Sequence, residues 1–414
     1  MKRRDFLKLA AAASVAGCAG SAAPSRARVV VIGGGFGGAT AAKYIRLWDP
    51  SIDVVLIERE SQFTSCPISN LVLGGFSTMQ EISRGYDGLR RHGVLVVRDE
   101  AVAVDAAKKT VRLARGGEIG YERLIVSPGI DFTFNEIQGY EAAMQSGRVL
   151  HAWKAGPQTV ALRSQLEQMR DGGVYILSIP TAPYRCPPGP YERASMVAAY
   201  FKKAKPRSKV LVLDANPDVT SKGALFKAAW KDLYAGTLEY RGNAKAVGID
   251  GSTVKLEVED VKGDVLNVVP PHRAGNIAQQ AGLITTNNRW CDVDWRTMES
   301  KKVPGIHVLG DATLSAPGMP KSGSMANNHA KIAAAAVIEQ LNGRAPQPVK
   351  IINTCYSFVS EREAIRVSSV HEWDATQGTL IGVKGSGGVS AARSEPEATY
   401  AWNWARTIWA DALA

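Results

Sequence analysis

The chain has 414 residues, with 50 Lys and Arg against 39 Asp and Glu and a formal net charge of +11. That length suggests two or three domains, and 45% hydrophobic with 21% charged residues excludes both a disordered chain and a polytopic membrane protein. The basic residues are scattered, with no run of five or more interleaved with aromatics. Nucleic acid is therefore not an expected partner, and the charge is read as solubility plus attraction for an anionic substrate or acidic partner.

Arg3-Arg4-Asp5-Phe6-Leu7-Lys8 is a twin-arginine pattern, followed by a short apolar stretch from Leu9 to Ala16. A bilayer-spanning helix takes about 20 residues, so residues 1–27 are read as an export signal and the periplasm as the destination. Val15-Ala16-Gly17-Cys18 also resembles a lipoprotein cleavage box, which would leave a lipid anchor on Cys18. Ser25-Arg26-Ala27 offers an ordinary cleavage site and is the preferred reading.

Arg28–Ile32 is a β-branched run with the look of a buried parallel strand, and it enters Gly33-Gly34-Gly35-Phe36-Gly37-Gly38 and an Ala-rich helix. In this strand, glycine turn and helix, Gly33 permits the tight turn, Gly35 lets the backbone approach a pyrophosphate, and Gly38 allows close helix–strand packing. A second strand, Val54–Ile57, ends at Glu58, twenty residues beyond Gly38 and placed for the hydroxyls of an adenosine ribose. Further along, Tyr121–Gly129 looks like the strand and small-residue turn that returns to the flavin in flavoproteins with two dinucleotide domains. Val303–Ala312 looks like their late motif, in which Asp311 takes a ribityl hydroxyl, and a helix from about Ser322 would aim its N-terminus at the flavin pyrimidine. Three motifs in this order point to FAD.

The middle of the chain lacks a second glycine fingerprint. Gly173–Ser178 and Lys209–Asp214 read as strands, but the first runs into Ile179-Pro180-Thr181-Ala182-Pro183-Tyr184-Arg185-Cys186-Pro187-Pro188-Gly189-Pro190. Prolines donate no backbone N–H to a pyrophosphate, and their fixed φ forbids the glycine turn. The nicotinamide site is read as vestigial, with NAD(P)H excluded as the reductant. No Cys-x-x-Cys-His run occurs and the six histidines show no metal-ligand spacing, so neither an attached haem nor a metal is expected.

Besides Cys18, the cysteines are Cys66, Cys186, Cys291 and Cys355. The runs Cys66-Pro67-Ile68-Ser69-Asn70, Cys186-Pro187-Pro188-Gly189-Pro190-Tyr191-Glu192 and Asn353-Thr354-Cys355-Tyr356 resemble the flavoprotein subunits of flavocytochrome c sulfide dehydrogenases, over nearly everything from Arg28 on. The resemblance implies that Cys66 carries FAD through a thioether to the flavin 8α-methyl. It implies a redox disulfide between Cys186 and Cys355, with Glu192 as the acid/base residue beside it. It also implies sulfide as substrate and a separate c-type cytochrome subunit as electron acceptor in a heterodimer. Cys291 inherits no role and is read as a structural thiol. Hydrosulfide is a soft nucleophile that opens a disulfide to a persulfide and a thiolate, which suits these residue types.

The related sulfide:quinone oxidoreductases are the main alternative, and an accessory flavoprotein of a sulfur-oxidising system is another. The quinone reading needs a membrane-seating C-terminus; Tyr400–Trp409 is aromatic but short and has no basic face, so a membrane is not an expected partner. The expected fold is α/β: an FAD-binding Rossmann-like domain at 28–140 and 276–345, a degenerate NAD(P)-like α/β domain inserted at 141–275, and a small α+β cap at 346–414.

Overall fold

A computed structural model describes residues 26–414. The twin-arginine pattern and Cys18 lie outside the described residues. The first strand, Ala27–Ile32, begins one residue ahead of the Arg28 expected, and Ala27 already pairs with Ile52.

This strand is central in a seven-stranded sheet. Its order is Val293–Asp294, Glu299–Ser300, Ile306–Val308, Arg123–Val126, Ala27–Ile32, Ile52–Glu58 and Val94–Arg98. The last five of these run parallel. Val29, Val30 and Val31 have no exposed surface, as a strand covered on both faces requires, and each such side chain contributes about 1.5–3 kcal/mol through burial. Helices Phe36–Trp48 and Gly323–Leu341 pack against one another beside the sheet. The glycine turn leaves Ala27–Ile32 between its two parallel neighbours, where the strand order reverses and α/β folds place their ligands.

A second, five-stranded parallel sheet has the order Val149–Leu150, Val265–Val268, Val174–Ile179, Lys209–Asp214 and Leu238–Arg241. Helix Gly189–Ala204, buried along most of its length, follows Val174–Ile179.

The C-terminal part is an antiparallel sheet, with Lys350–Phe358 paired to Ala364–Asp374 over nine residues and the shorter Thr379–Gly382 and Gly388–Val389 also on Ala364–Asp374. Helix Glu395–Leu413 returns across it to helix Phe36–Trp48. Lys43 caps its C-terminal end, donating to Ala410 O at 3.0 Å and Asp411 O at 3.1 Å, where a cation meets the negative end of the helix. Trp409 is buried beneath Arg84, whose guanidinium lies 4.5 Å from the ring centre. No described helix is long and apolar enough to cross a membrane.

Candidate active site

A cavity of about 1290 Å³ runs from the glycine turn to the C-terminal sheet, and its wall includes Gly33, Gly35, Glu58, Cys66, Gly129, Cys186, Glu192, Asp311 and Cys355. The three glycines of the turn do different work. Gly33 has φ +96°, and a Cβ there would stand 2.3 Å from Ser127 O; a Cβ on Gly38 would stand 1.8 Å from Gly33 O. Gly35 lines the cavity and faces open space, with nothing within 4 Å of an added Cβ, which leaves room for a ligand to approach the backbone. Glu58, at the end of the second strand, accepts from the Gly34 amide at 2.6 Å and the Glu60 amide at 2.8 Å, which ties it to the turn while it lines the cavity.

Asp311 follows strand Ile306–Val308 in a single 3-10 turn. Its Oδ1 is sealed from solvent with no partner, and burial pushes the carboxyl up against the opposing charges of Arg185 and Lys321. An orphaned buried carboxylate oxygen is costly unless something donates to it. The open space at Gly35 and the orphaned oxygen of Asp311, in one cavity, fit FAD: the pyrophosphate at the turn and a ribityl hydroxyl at Asp311. Ser322 caps helix Gly323–Leu341, accepting from the Met325 amide at 3.1 Å, and residues 322–324 line the same wall.

Cys66 lies between strand Phe63–Thr64 and helix Ser69–Gly74. The Ser69 hydroxyl and amide both donate to Cys66 O, at 2.6 and 3.1 Å, and the thiol donates to Trp153 O at 3.8 Å. Ile68 beside it is β-branched yet has φ 75°, a strained conformation that persists only where the surroundings over-determine it.

Cys186 has φ 60° and precedes helix Gly189–Ala204; its carbonyl accepts from the Gly189 amide at 2.8 Å and its amide donates to Lys321 O at 2.8 Å. Burial raises its thiol pKa, helped by the nearby Cys355 and Glu192. Cys355 lies on strand Lys350–Phe358, and its thiol donates to Asn353 Oδ1 at 3.4 Å, which in turn accepts from Ser322 Oγ at 2.8 Å. The described cysteines are free thiols, so the structure brings Cys186 and Cys355 to one cavity as an unjoined pair. Cys291 is fully buried in the core beside Ala312, and burial pushes its thiol up to about 12.

Glu192 is 7% exposed. It accepts from Asn70 Nδ2 at 2.7 Å and from the Phe358 amide at 2.8 Å. Burial raises its carboxyl above the usual range, outweighing those two donors and the charges of Lys222 and Arg193. Asn70 is oriented in turn by Arg193, whose Nε donates to Asn70 Oδ1 at 3.1 Å.

Sequence reasoning missed Lys222, Arg193 and Lys321. Lys222 lies against the strand of Cys355, and burial lowers its ammonium to about 8. Arg193 is buried over Trp153, 4.7 Å from the ring centre. Lys321 donates to Asp311 O at 3.1 Å over Trp290. Asn70 and Asn353 stood within the runs already singled out; the lysines and Arg193 carry no local signature.

Residues 159–270 match the family described as sulfide dehydrogenase [flavocytochrome c] flavoprotein chain, central, and residues 347–413 match flavocytochrome c sulphide dehydrogenase, flavin-binding. Residues 27–160 match pyridine nucleotide-disulphide oxidoreductase. The sulfide dehydrogenase [flavocytochrome c] flavoprotein chain of Chlorobaculum thiosulfatiphilum is 62% identical over 45 residues, which are 11% of this chain and 94% of that sequence. The mitochondrial sulfide:quinone oxidoreductase of Mus musculus is 24% identical over 303 residues, 69% of this chain; the chain spans 65% of that relative's length. The solved sulfide:quinone oxidoreductase of Aquifex aeolicus superposes with a TM-score of 0.75 at 19% identity, covering 93% of this chain and 91% of that one. Putidaredoxin reductase, in its covalent complex with putidaredoxin, gives 0.68 at 16% identity, covering 92% and 93%. These likenesses bear out the α/β fold of a two-dinucleotide-domain flavoprotein, and the family matches bear out FAD as its cofactor. The chain belongs to the flavoprotein-chain family of flavocytochrome c sulfide dehydrogenase.

Proposed function

We propose that the protein oxidises sulfide at a Cys186–Cys355 disulfide and delivers the electrons, through FAD, to a separate c-type cytochrome subunit. The observation that carries the reading is the shared cavity wall: Cys186 from the middle of the chain and Cys355 from the C-terminal sheet meet Glu192, the glycine turn and Asp311.

Hydrosulfide bonds to one sulfur of the disulfide, the S–S bond breaks, and the other sulfur leaves as a thiolate. Glu192, with its raised carboxyl, takes the proton of the incoming hydrogen sulfide or persulfide. Asn70 and the Phe358 amide fix the carboxylate at the wall of the cavity that Cys186 and Cys355 also line. Bound in this cavity, FAD would supply a two-electron acceptor able to release its electrons singly. Gly33, Gly35, Glu58, Gly129 and Asp311 would hold the cofactor, Gly38 lets the turn pack closely, and Cys66 is the residue for a thioether to its 8α-methyl. Elemental sulfur or polysulfide is the product class.

NADH is an unsuitable donor. Asp214, at the end of its strand as Glu58 is of its own, accepts from Tyr191 at 2.8 Å, Tyr240 at 3.0 Å and Asn216 Nδ2 at 2.7 Å. The acid that would meet a second ribose is thus already engaged by three side chains of the protein.

A cytochrome is favoured over membrane quinone as acceptor by two of the C-terminal aromatics, Trp404 and Trp409, which turn inward while Tyr400 is exposed. Trp409 is packed inside, and Trp404 lines the cavity with Tyr356, their rings 6.4 Å apart. The twin-arginine pattern supports the periplasm as location. Mixing the sulfide-reduced protein with a c-type cytochrome and, separately, with a soluble quinone tests the acceptor: fast reoxidation by the cytochrome is expected, and fast reoxidation by quinone alone would overturn it.

A further inference from the structure

Lys222 is a lysine that the fold goes out of its way to bury. It is 7% exposed, and its backbone has φ 56° at the start of helix Gly223–Leu233, a left-handed conformation that costs a non-glycine residue about 1–3 kcal/mol. Its ammonium donates to Ser357 Oγ at 2.8 Å, Cys355 O at 3.3 Å and Ile365 O at 3.3 Å. All three acceptors are neutral, and among the described residues Lys222 makes no ion pair. A cation sealed against neutral acceptors pays desolvation that only a nearby anion offsets.

The groups whose negative charge would hold it are Cys355 first, then Glu192, Cys186 and, from the C-terminal helix, Glu397. Two of those anions exist only after a disulfide has opened. The preference is for Cys355: of the influences opposing burial there, Lys222 comes first, ahead of Asn353 and Ser322, with Asp311 acting the other way. At Cys186, Arg185 precedes Lys222.

We propose that Lys222 is the positioning cation of Cys355, gripping the main chain at that residue and holding its sulfur as the thiolate released when the Cys186–Cys355 bond opens. The proposal rests on the reading of these two cysteines as the redox pair. In the step it describes, hydrosulfide forms a bond to Cys186 Sγ and the Cys186–Cys355 bond breaks with its electron pair on Cys355 Sγ. The disulfide is reduced by two electrons and the sulfide sulfur is oxidised to the persulfide level, its proton passing to Glu192. Lys222 keeps its own proton and makes no bond.

The test titrates the thiol instead of the turnover. FAD-loaded protein is reduced anaerobically and alkylated with iodoacetamide across a pH series, and Cys355 is quantified by peptide mass spectrometry. In Lys222→Met the pH of half-maximal alkylation at Cys355 should rise by about one pH unit, about a tenfold loss of rate below the midpoint. Lys222→Arg, which keeps the charge, should stay near wild type. An unchanged midpoint in Lys222→Met, or equal shifts in both variants as a packing role would give, overturns the proposal. If Lys222→Met does not fold, Lys222→Gln, which keeps a donor for Ser357 and the Cys355 carbonyl without the charge, takes its place, and an unchanged Cys355 midpoint there overturns the proposal. Sulfide bleaching of wild-type flavin, run beside it, reports on the function reading separately, since the thiol midpoint does not depend on whether sulfide is the substrate.

Discussion

Glu192 Oε1 accepts a hydrogen bond from the Phe358 amide at 2.8 Å, and that bond joins the helix that follows Cys186 to the strand that carries Cys355. The same carboxylate reaches Asn70 with its other oxygen, four residues beyond Cys66. One buried side chain therefore ties together the three cysteine-bearing segments around the cavity.

Because burial raises the Glu192 carboxyl, the group stays protonated at a pH where an ordinary glutamate is ionised. A base must be ionised to take a proton, so the rate of sulfide-driven flavin reduction should fall as pH drops through that raised value. Once corrected for the ionisation of sulfide itself, this acid limb should vanish in Glu192→Gln, with the rate lowered about 10²–10⁴-fold. Rapid-mixing absorbance across a pH series measures both, and a limb that survives in Glu192→Gln assigns it to another group.

Cys186→Ser and Cys355→Ser each remove one sulfur of the pair while leaving the glycine turn and Asp311 untouched. Both variants should retain bound flavin, and both should lose sulfide turnover by at least about a thousandfold. Flavin content by absorbance and turnover by sulfide consumption separate the two effects; sulfide turnover retained in either variant contradicts the disulfide mechanism.

For Cys66→Ala the expected change is in attachment. Acid precipitation of the wild type should carry the flavin down with the protein, whereas the variant should release it to the supernatant. Flavin that stays attached in Cys66→Ala would place the link on another residue.

Gly33 and Gly35 should part company under substitution. Gly33→Ala places a methyl against Ser127 O at a left-handed φ and should destabilise the fold by about 1–3 kcal/mol or more. Gly35→Ala meets no neighbour, so the flavin-free protein should keep its stability within about 0.5 kcal/mol while flavin content falls. Denaturant unfolding and flavin absorbance together read this contrast.

Much of the site was legible because its elements announce themselves locally. A β-branched strand running into Gly33, Gly35 and Gly38, with Glu58 ending the next strand, has few other uses, and the prolines around Cys186 mark a turn that is not a glycine fingerprint. What stayed hidden depends on packing between distant segments. Lys222 sits in an unremarkable Ser-Lys-Gly turn, and only the fold lays it beside Cys355, 133 residues away. Arg193 carries no signal in its own run, and only the fold brings it to Asn70 and His151. The Asp214 cluster likewise needs Tyr191 and Tyr240 brought in from separate elements.

The most direct measurement is anaerobic mixing of the purified flavin-loaded protein with sulfide, and separately with NADH, following flavin absorbance. The account predicts rapid bleaching by sulfide and none by NADH. A flavin that sulfide leaves oxidised would contradict sulfide oxidation at the Cys186–Cys355 pair, and one that NADH bleaches as readily would contradict the exclusion of NADH as donor.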